Sequence, residues 1–214
     1  MHTPGTLLHT RRRAFALMAG ALCAGAKAAP LPVVTILGDS ITAGLGLPAS
    51  QALPAQLQVA LAKLGVPAIV RGAGVSGDTT AGGLARVGFS VQADTALCVV
   101  ALGGNDLLQG VPPAETKANL VNIIGKLKAR RIGVLLAGLT VPRTIGAGYA
   151  RDFNAVFPAV AKAEHVPLYP DLRAGVGQNP ALNQRDGIHP NAAGAAIIAG
   201  HLAPVVAKAL RTPR

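Results

Sequence analysis

Five short apolar runs, separated by longer amphipathic stretches, constrain this chain more than any other feature. The runs are Val33–Leu37, Ala68–Val70, Ala96–Leu102, Ile132–Leu139 and Val166–Tyr169. They are continuous rather than alternating, the pattern of strands covered on both faces in a parallel sheet. Helical patterns fill the intervals at about 50–64, 79–91, 113–131 and 147–165, and a last one covers 191–210. Pro54 and Pro158 are expected to start or kink their helices, because proline cannot donate to the preceding turn. The alternation predicts a single three-layer αβα domain with right-handed crossovers over residues 29–214. Ligands in such folds bind beyond the carboxyl ends of the strands, so chemistry is sought just after each run.

Composition narrows the function classes. The chain has 214 residues, half of them hydrophobic and 14% charged, which permits a packed core and excludes a disordered chain. Aromatic residues make only 3%, with no Trp, too few for a base-stacking platform, so nucleic acid is not an expected partner. The net charge of +11 belongs partly to an export signal expected over residues 1–28. Arg11, Arg12 and Arg13 form its positive region, and an uncharged run follows from Ala14 to Ala26. Ala26-Lys27-Ala28 supplies a small-x-small cleavage site, which points to a periplasmic or secreted protein starting at Ala29. Arg12-Arg13-Ala14-Phe15 also resembles the twin-arginine pattern, so both export routes stay open. Cys23 follows Leu22 rather than a small residue, which argues against lipidation.

Processing at that site leaves 16 basic and 9 acidic residues, a net of +7 that allows weak contact with anionic membrane surfaces. The densest basic stretch is Lys126-Leu127-Lys128-Ala129-Arg130-Arg131. A solvated helix terminus is the favoured reading there, with an anion-binding patch as the other. The remaining Cys98 sits in an apolar run and reads as a buried, inert thiol. There is no CxxC pair, and His165, His189 and His201 lack metal-ligand spacing, so no metal site is expected.

Four segments carry candidate chemistry. Gly38-Asp39-Ser40-Ile41-Thr42-Ala43-Gly44 follows the first run, so Ser40 is either an exposed nucleophile at a strand-to-helix turn or a helix cap. Thr42 stands where the hydrolase elbow G-x-S-x-G has its last glycine. After the second run, Gly72, Gly74 and Gly77 satisfy G-x-G-x-x-G, a dinucleotide fingerprint. Against that reading, a βα unit precedes it, and no ribose-binding acid stands at a strand end about 20 residues on. These glycines alternatively present a backbone N–H to an anion. Gly103-Gly104-Asn105-Asp106 either brings the Asn105 amide into a cleft or makes an Asx-type turn. Finally, Asp186-Gly187-Ile188-His189-Pro190-Asn191 sets an Asp and a His three apart, where the carboxylate can orient the imidazole and stabilise its cationic form.

Together the four segments resemble the SGNH hydrolases, also called GDSL esterases, over about residues 33–210. The resemblance implies a flavodoxin-like sheet of five parallel strands and a serine-esterase mechanism without a cofactor. Ser40 would be the nucleophile, His189 the general base and Asp186 its partner. The oxyanion hole would combine the N–H groups of Ser40 and Gly77 with the Asn105 amide. Ile36–Ser40, Ser76–Thr79, Gly83–Arg86, Leu102–Asp106 and Asp186–Asn191 are most similar to the periplasmic acyl-CoA thioesterase, lysophospholipase and arylesterase subgroup. Leu107-Leu108-Gln109-Gly110 departs from the Gly-Leu-Arg-Gly common at that place, in a loop that borders the acyl site in the family. Leu107, Leu108, Val141 and Ile145 either line an acyl groove or cover the core. The implied substrate is a small acyl ester or thioester. The alternatives are a carbohydrate O-deacetylase, a dinucleotide-dependent oxidoreductase using Gly72, Gly74 and Gly77, and a non-catalytic binding module.

Overall fold

All five apolar runs become strands of one parallel sheet in the computed structural model, which describes residues 1–2 and 30–211. The expected export signal therefore lies, but for its first two residues, outside the described residues. The strands are β1 (Val33–Gly38), β2 (Ile69–Gly74), β3 (Thr95–Ala101), β4 (Gly133–Ala137) and β5 (Leu168–Tyr169), in the spatial order β2-β1-β3-β4-β5. That is the flavodoxin-like order, whose switch point lies between β1 and β3. The central strands β1, β3 and β4 are covered on both faces, whereas β2 and β5 are edges and are partly exposed.

Residue alternation along the strands assigns each side chain to one of two cores. Leu37, Cys98, Val100, Val134 and Leu136 face a layer built from α3 (Thr80–Ser90), α5 (Pro113–Ala129), α6 (Ala147–Asn154) and α7 (Val156–Ala163). Val34, Ile36, Val99, Leu135 and Ala137 face α2 (Leu53–Lys63) and α8 (Ala192–Arg211). Leu57, Leu61, Ile123, Phe157 and Leu202 are fully buried between these layers, each contributing about 1.5–3 kcal/mol of apolar burial. Cys98 is fully buried as well, and desolvation pushes its thiol up to about 12, so it is inert.

Two prolines mark helix starts. Pro54 occupies the first turn of α2, where its missing N–H costs nothing. The helical pattern over 147–165 is two helices rather than one, joined at Ala155. Pro158 has no N–H for the Asn154 carbonyl, so the hydrogen-bond ladder breaks there and α7 starts with Pro158 in its first turn.

Two short helices sit at the carboxyl edge of the sheet: α1 (Ser40–Ala43) after β1 and α4 (Gly104–Leu108) after β3. α1 lies so close to β2 that a Cβ on Gly74 would stand 2.3 Å from the Ala43 nitrogen and 2.7 Å from the Asp39 carbonyl oxygen. Gly74→Ala must push α1 off the sheet. It is expected to cost about 1–3 kcal/mol in urea melts and to displace Ser40. Gly125→Ala in α5, where an added Cβ meets nothing within 4 Å, is expected to stabilise the protein by about 0.5–1 kcal/mol. Equal destabilisation by both substitutions would contradict this packing.

Candidate active site

The first strand delivers Ser40 without using it as a cap. Asp39 is the N-cap of α1: its Oδ1 accepts the Ile41 N–H at 3.0 Å. Gly44, in the left-handed conformation, closes the helix after one turn. Ser40 is thus the first helical residue, and its Oγ lies 2.8 Å from His189 Nε2.

His189 comes from a loop held from several sides. Asn183 and Pro190 form an antiparallel bridge. The Gln184 N–H donates to the His189 carbonyl at 2.8 Å, and the Asn191 N–H donates to that of Leu182 at 3.0 Å. Asn191 Oδ1 then accepts the Gly194 N–H and starts α8. Between them, Asp186 Oδ1 accepts the N–H groups of Ile188 (2.9 Å) and His189 (3.0 Å), while Oδ2 sits 2.7 Å from His189 Nδ1. The His189 amide, its ring and the Ile188 amide all favour the carboxylate, in that order, and hold Asp186 down to about 2. An ionised Asp186 accepts the Nδ1 proton, which leaves the Nε2 lone pair facing Ser40. Gln184 also ties this loop to the segment after α1, its Nε2 donating to the Leu45 carbonyl at 2.7 Å.

The other two predicted residues close the arrangement. Gly77 has φ +82, a left-handed backbone that favours glycine, and an added Cβ there would meet no atom within 4 Å. Backbone conformation, rather than crowding of the site, is what asks for glycine there. Among the described residues, the N–H groups of Ser40 and Gly77 donate to no other group. One N–H of the Asn105 amide donates to the Asp78 carbonyl at 2.9 Å, and the amide has a second N–H to offer. Asp106, beside it, is buried and accepts the Thr80 N–H (2.8 Å), the Thr80 hydroxyl and the Thr116 hydroxyl (3.2 Å). The turn between β2 and α3 is thereby anchored to α4.

The dinucleotide reading of Gly72, Gly74 and Gly77 fails on this geometry. Gly72 and Gly74 belong to β2, where their missing side chains admit Pro54 and α1. At the start of α3, the Thr80 N–H is bonded to Asp106 and the Gly82 N–H to Thr79 Oγ1 (3.3 Å). With the Thr80 and Gly82 amides bonded within the protein, neither is left at the start of α3 to hold a pyrophosphate.

Ser40, Gly77, Asn105 and His189 share one cavity of about 260 Å³ at the β1/β3 switch point, and Asp186 stands behind His189. Its walls are mainly aliphatic, including Ile41, Leu45, Leu107, Leu108, Leu139 and Ile188. Leu107 and Leu108 therefore line it, but Val141 is buried in the core and Ile145 lies exposed; neither lines this cavity. Two charged residues stand in its wall, Asp39 inside the first motif segment and Arg173 outside every motif. Asp39 is buried, and desolvation pushes its carboxyl up against the pull of the Ile41 amide. Arg173 follows β5 in irregular chain; burial lowers its pKa against the fields of Asp171, Asp39 and Asp186. Its guanidinium donates to the Gly177 carbonyl at 3.0 Å, while Nε has no partner among the described residues. A hydroxyl on an oriented imidazole, beside unpaired N–H donors and under an apolar cavity, is equipped for acyl transfer.

The profile of the GDSL-like lipase/acylhydrolase family matches residues 36–197. An esterase, TesA, from Pseudomonas aeruginosa is 44% identical over 156 residues, covering 72% of this chain and 78% of its own. The Escherichia coli K12 protein named thioesterase 1/protease 1/lysophospholipase L1 is 39% identical over 166 residues, 77% of this chain and 78% of that one. A crystal structure of TesA superposes with a TM-score of 0.76 at 40% identity, covering 81% of this chain and 97% of the other.

The Asp186 contacts predict a pH dependence. With a folded value near 2 against 3.8 for a free aspartate, its stabilising contribution is complete above about pH 4. It is lost as pH falls through about 2. A ¹³C-carboxyl NMR titration should place the Asp186 midpoint near 2. His189→Ala should raise it only part of the way toward 4, because the two backbone amides still donate. A midpoint near 4 in the unaltered protein would refute these contacts.

Proposed function

Because the chain belongs to the GDSL-like lipase/acylhydrolase family and is a hydrolase of ester bonds, we propose that Ser40, His189 and Asp186 are its catalytic residues. We propose acyl esters and thioesters as its substrates. The observation that carries this reading is the unbroken chain from Ser40 Oγ through both His189 nitrogens to Asp186, at 2.8 and 2.7 Å. His189 Nε2 takes the hydroxyl proton as Ser40 Oγ attacks the acyl carbon. The carbonyl π electrons move onto oxygen, which meets the Ser40 and Gly77 N–H groups and the second N–H of Asn105. His189 then gives the proton to the leaving oxygen or sulfur, and the acyl group stays on Ser40. A water molecule, deprotonated by His189, attacks the acyl-enzyme by the same route and releases the acid. Asp186 stays ionised throughout and stabilises the imidazolium.

The aliphatic wall formed by Leu107, Leu108 and Ile188 supports an acyl chain in the cavity rather than an acetylated sugar, which needs polar partners. We also propose export, on the arginines and apolar run of residues 1–28.

Ser40→Ala is expected to abolish both p-nitrophenyl ester hydrolysis and fluorophosphonate labelling. Labelling that survives in it, or that maps to Ser76 or Ser90, would contradict the assignment. Turnover should rise with pH through roughly 6 to 8, because an imidazole must be neutral to accept the proton. An optimum near pH ~4–5 would point to carboxylate chemistry instead. Asn105→Ala separates two effects. Loss of the bond to Asp78 should cost about 1 kcal/mol of stability, while loss of the oxyanion contact should lower kcat about 10²–10³-fold with KM little changed. A destabilised variant with near-normal kcat would leave Asn105 only its structural role.

A further inference from the structure

A second cavity, of about 510 Å³, lies at the other end of the sheet from Ser40, beneath the amino-terminal ends of β3 and β4. Its interior is apolar, with Leu97, Ile132, Val134, Val166 and Leu210 among its walls. Its rim carries Lys128, Arg131 and His165.

Arg131 and His165 hold equivalent positions. Each follows a helix, α5 or α7, and closes it in the left-handed conformation, with φ +59 and +49. The next N–H reaches back into the helix in both cases: Ile132 to the Leu127 carbonyl at 3.1 Å, and Val166 to that of Ala161 at 3.0 Å. Among the described residues, these two alone have positive φ without being glycine. α2 ends in the same way, and there the position is Gly65, with φ +70. The chain thus uses glycine for this turn at one helix end, yet keeps a long cation and an imidazole at the two ends that overhang one cavity. Strain of this kind persists only where the surrounding structure holds it, and it clusters at ligand-binding and active sites.

The charge on the rim is not spent. Lys128 is engaged by the Glu164 carboxylate at 3.1 Å and by its backbone carbonyl. Arg130 is committed to the Val91 carbonyl at 2.6 Å. Neither the Arg131 nor the His165 side chain has a hydrogen-bond or ion-pair partner among the described residues. A guanidinium with free donors is suited to a planar oxyanion.

We propose that this cavity binds a single-chain amphiphile with an anionic head, such as a fatty carboxylate. The chain occupies the apolar interior and the head meets Arg131 and His165. The anion-binding reading of the Lys126–Arg131 stretch is thereby narrowed to Arg131. A fatty carboxylate is also what acyl-ester hydrolysis releases, but this cavity stands apart from Ser40 and from any role given to it.

The test uses ¹⁵N-labelled protein titrated with octanoate, with 1-octanol as the neutral counterpart. Octanoate should produce saturable amide shifts in residues 96–97, 131–134, 165–166 and 209–210, and 1-octanol should not. Arg131→Gly with His165→Gly relieves both strained turns, so the melting temperature should hold or rise while octanoate affinity at this site falls at least tenfold. Phosphatidylglycerol vesicles supply the same head-group charge from a membrane. Vesicle binding that the double variant abolishes, with no response to monomeric octanoate, would overturn a cavity ligand. So would an equal response to 1-octanol, unchanged affinity in the double variant, or shifts confined to residues around Ser40, Gly77, Asn105 and His189.

Discussion

One buried guanidinium holds the upper edge of this molecule together. Parallel strands end with carbonyls that have no strand partner, and β1 and β2 end side by side under the cavity that holds Ser40. Arg86 of α3 donates to the Gly38 carbonyl at 2.8 Å and to that of Ala73 at 2.9 Å. Its Nε meets Asp78 at 2.7 Å. A cation this deep is tolerable only with a compensating carboxylate and most of its donors bonded, and Arg86 has both. Gly38 directly precedes Asp39 and Ser40. Asp78 follows Gly77, and its carbonyl accepts from Asn105. One side chain thereby sets the height of the strand end that carries Ser40, the turn that carries Gly77 and the anchor of Asn105.

The remaining parts are joined by contacts between residues distant in sequence. Gln184 reaches Leu45 across 139 residues, and His189 reaches Ser40 across 149. These bonds bring the His-bearing loop onto the Ser-bearing turn, so the site exists only when the first strand and the last loop are both in place. The cavity they enclose is aliphatic but not neutral. Asp39 and Arg173 stand in its wall, both desolvated, one pushed toward its protonated form and the other pulled from its usual value.

Local pattern made much of this readable from sequence. The five runs are strands because aliphatic continuity follows from burial on two faces; three of the four motif segments fall at strand ends because a parallel sheet puts its loops there, and the fourth, Asp186–Asn191, lies in the loop before α8. Ser40, Gly77, Asn105 and His189 line one cavity, with Asp186 bonded to His189, as their motifs implied. What escaped was fixed by tertiary contact. G-x-G-x-x-G describes glycines that look alike in sequence, but Gly72 and Gly74 make room for Pro54 and α1, while Gly77 answers a backbone angle. Val141 and Leu107 are both aliphatic residues beyond a strand end, yet only Leu107 faces the cavity. Arg173 belongs to no motif, and the left-handed turns at Arg131 and His165 carry no glycine to announce them.

We propose that the Ser40 and Gly77 N–H groups and the Asn105 amide converge on one developing oxyanion above the Ser40–His189–Asp186 chain. A crystal structure of the protein inhibited by an alkyl fluorophosphonate measures this directly. Phosphorus is expected bonded to Ser40 Oγ, with one phosphoryl oxygen within about 2.7–3.1 Å of all three nitrogens and the alkyl chain along Leu107 and Leu108. An adduct on another residue, or a phosphoryl oxygen turned to solvent or to Arg173 and away from Gly77 and Asn105, would contradict it.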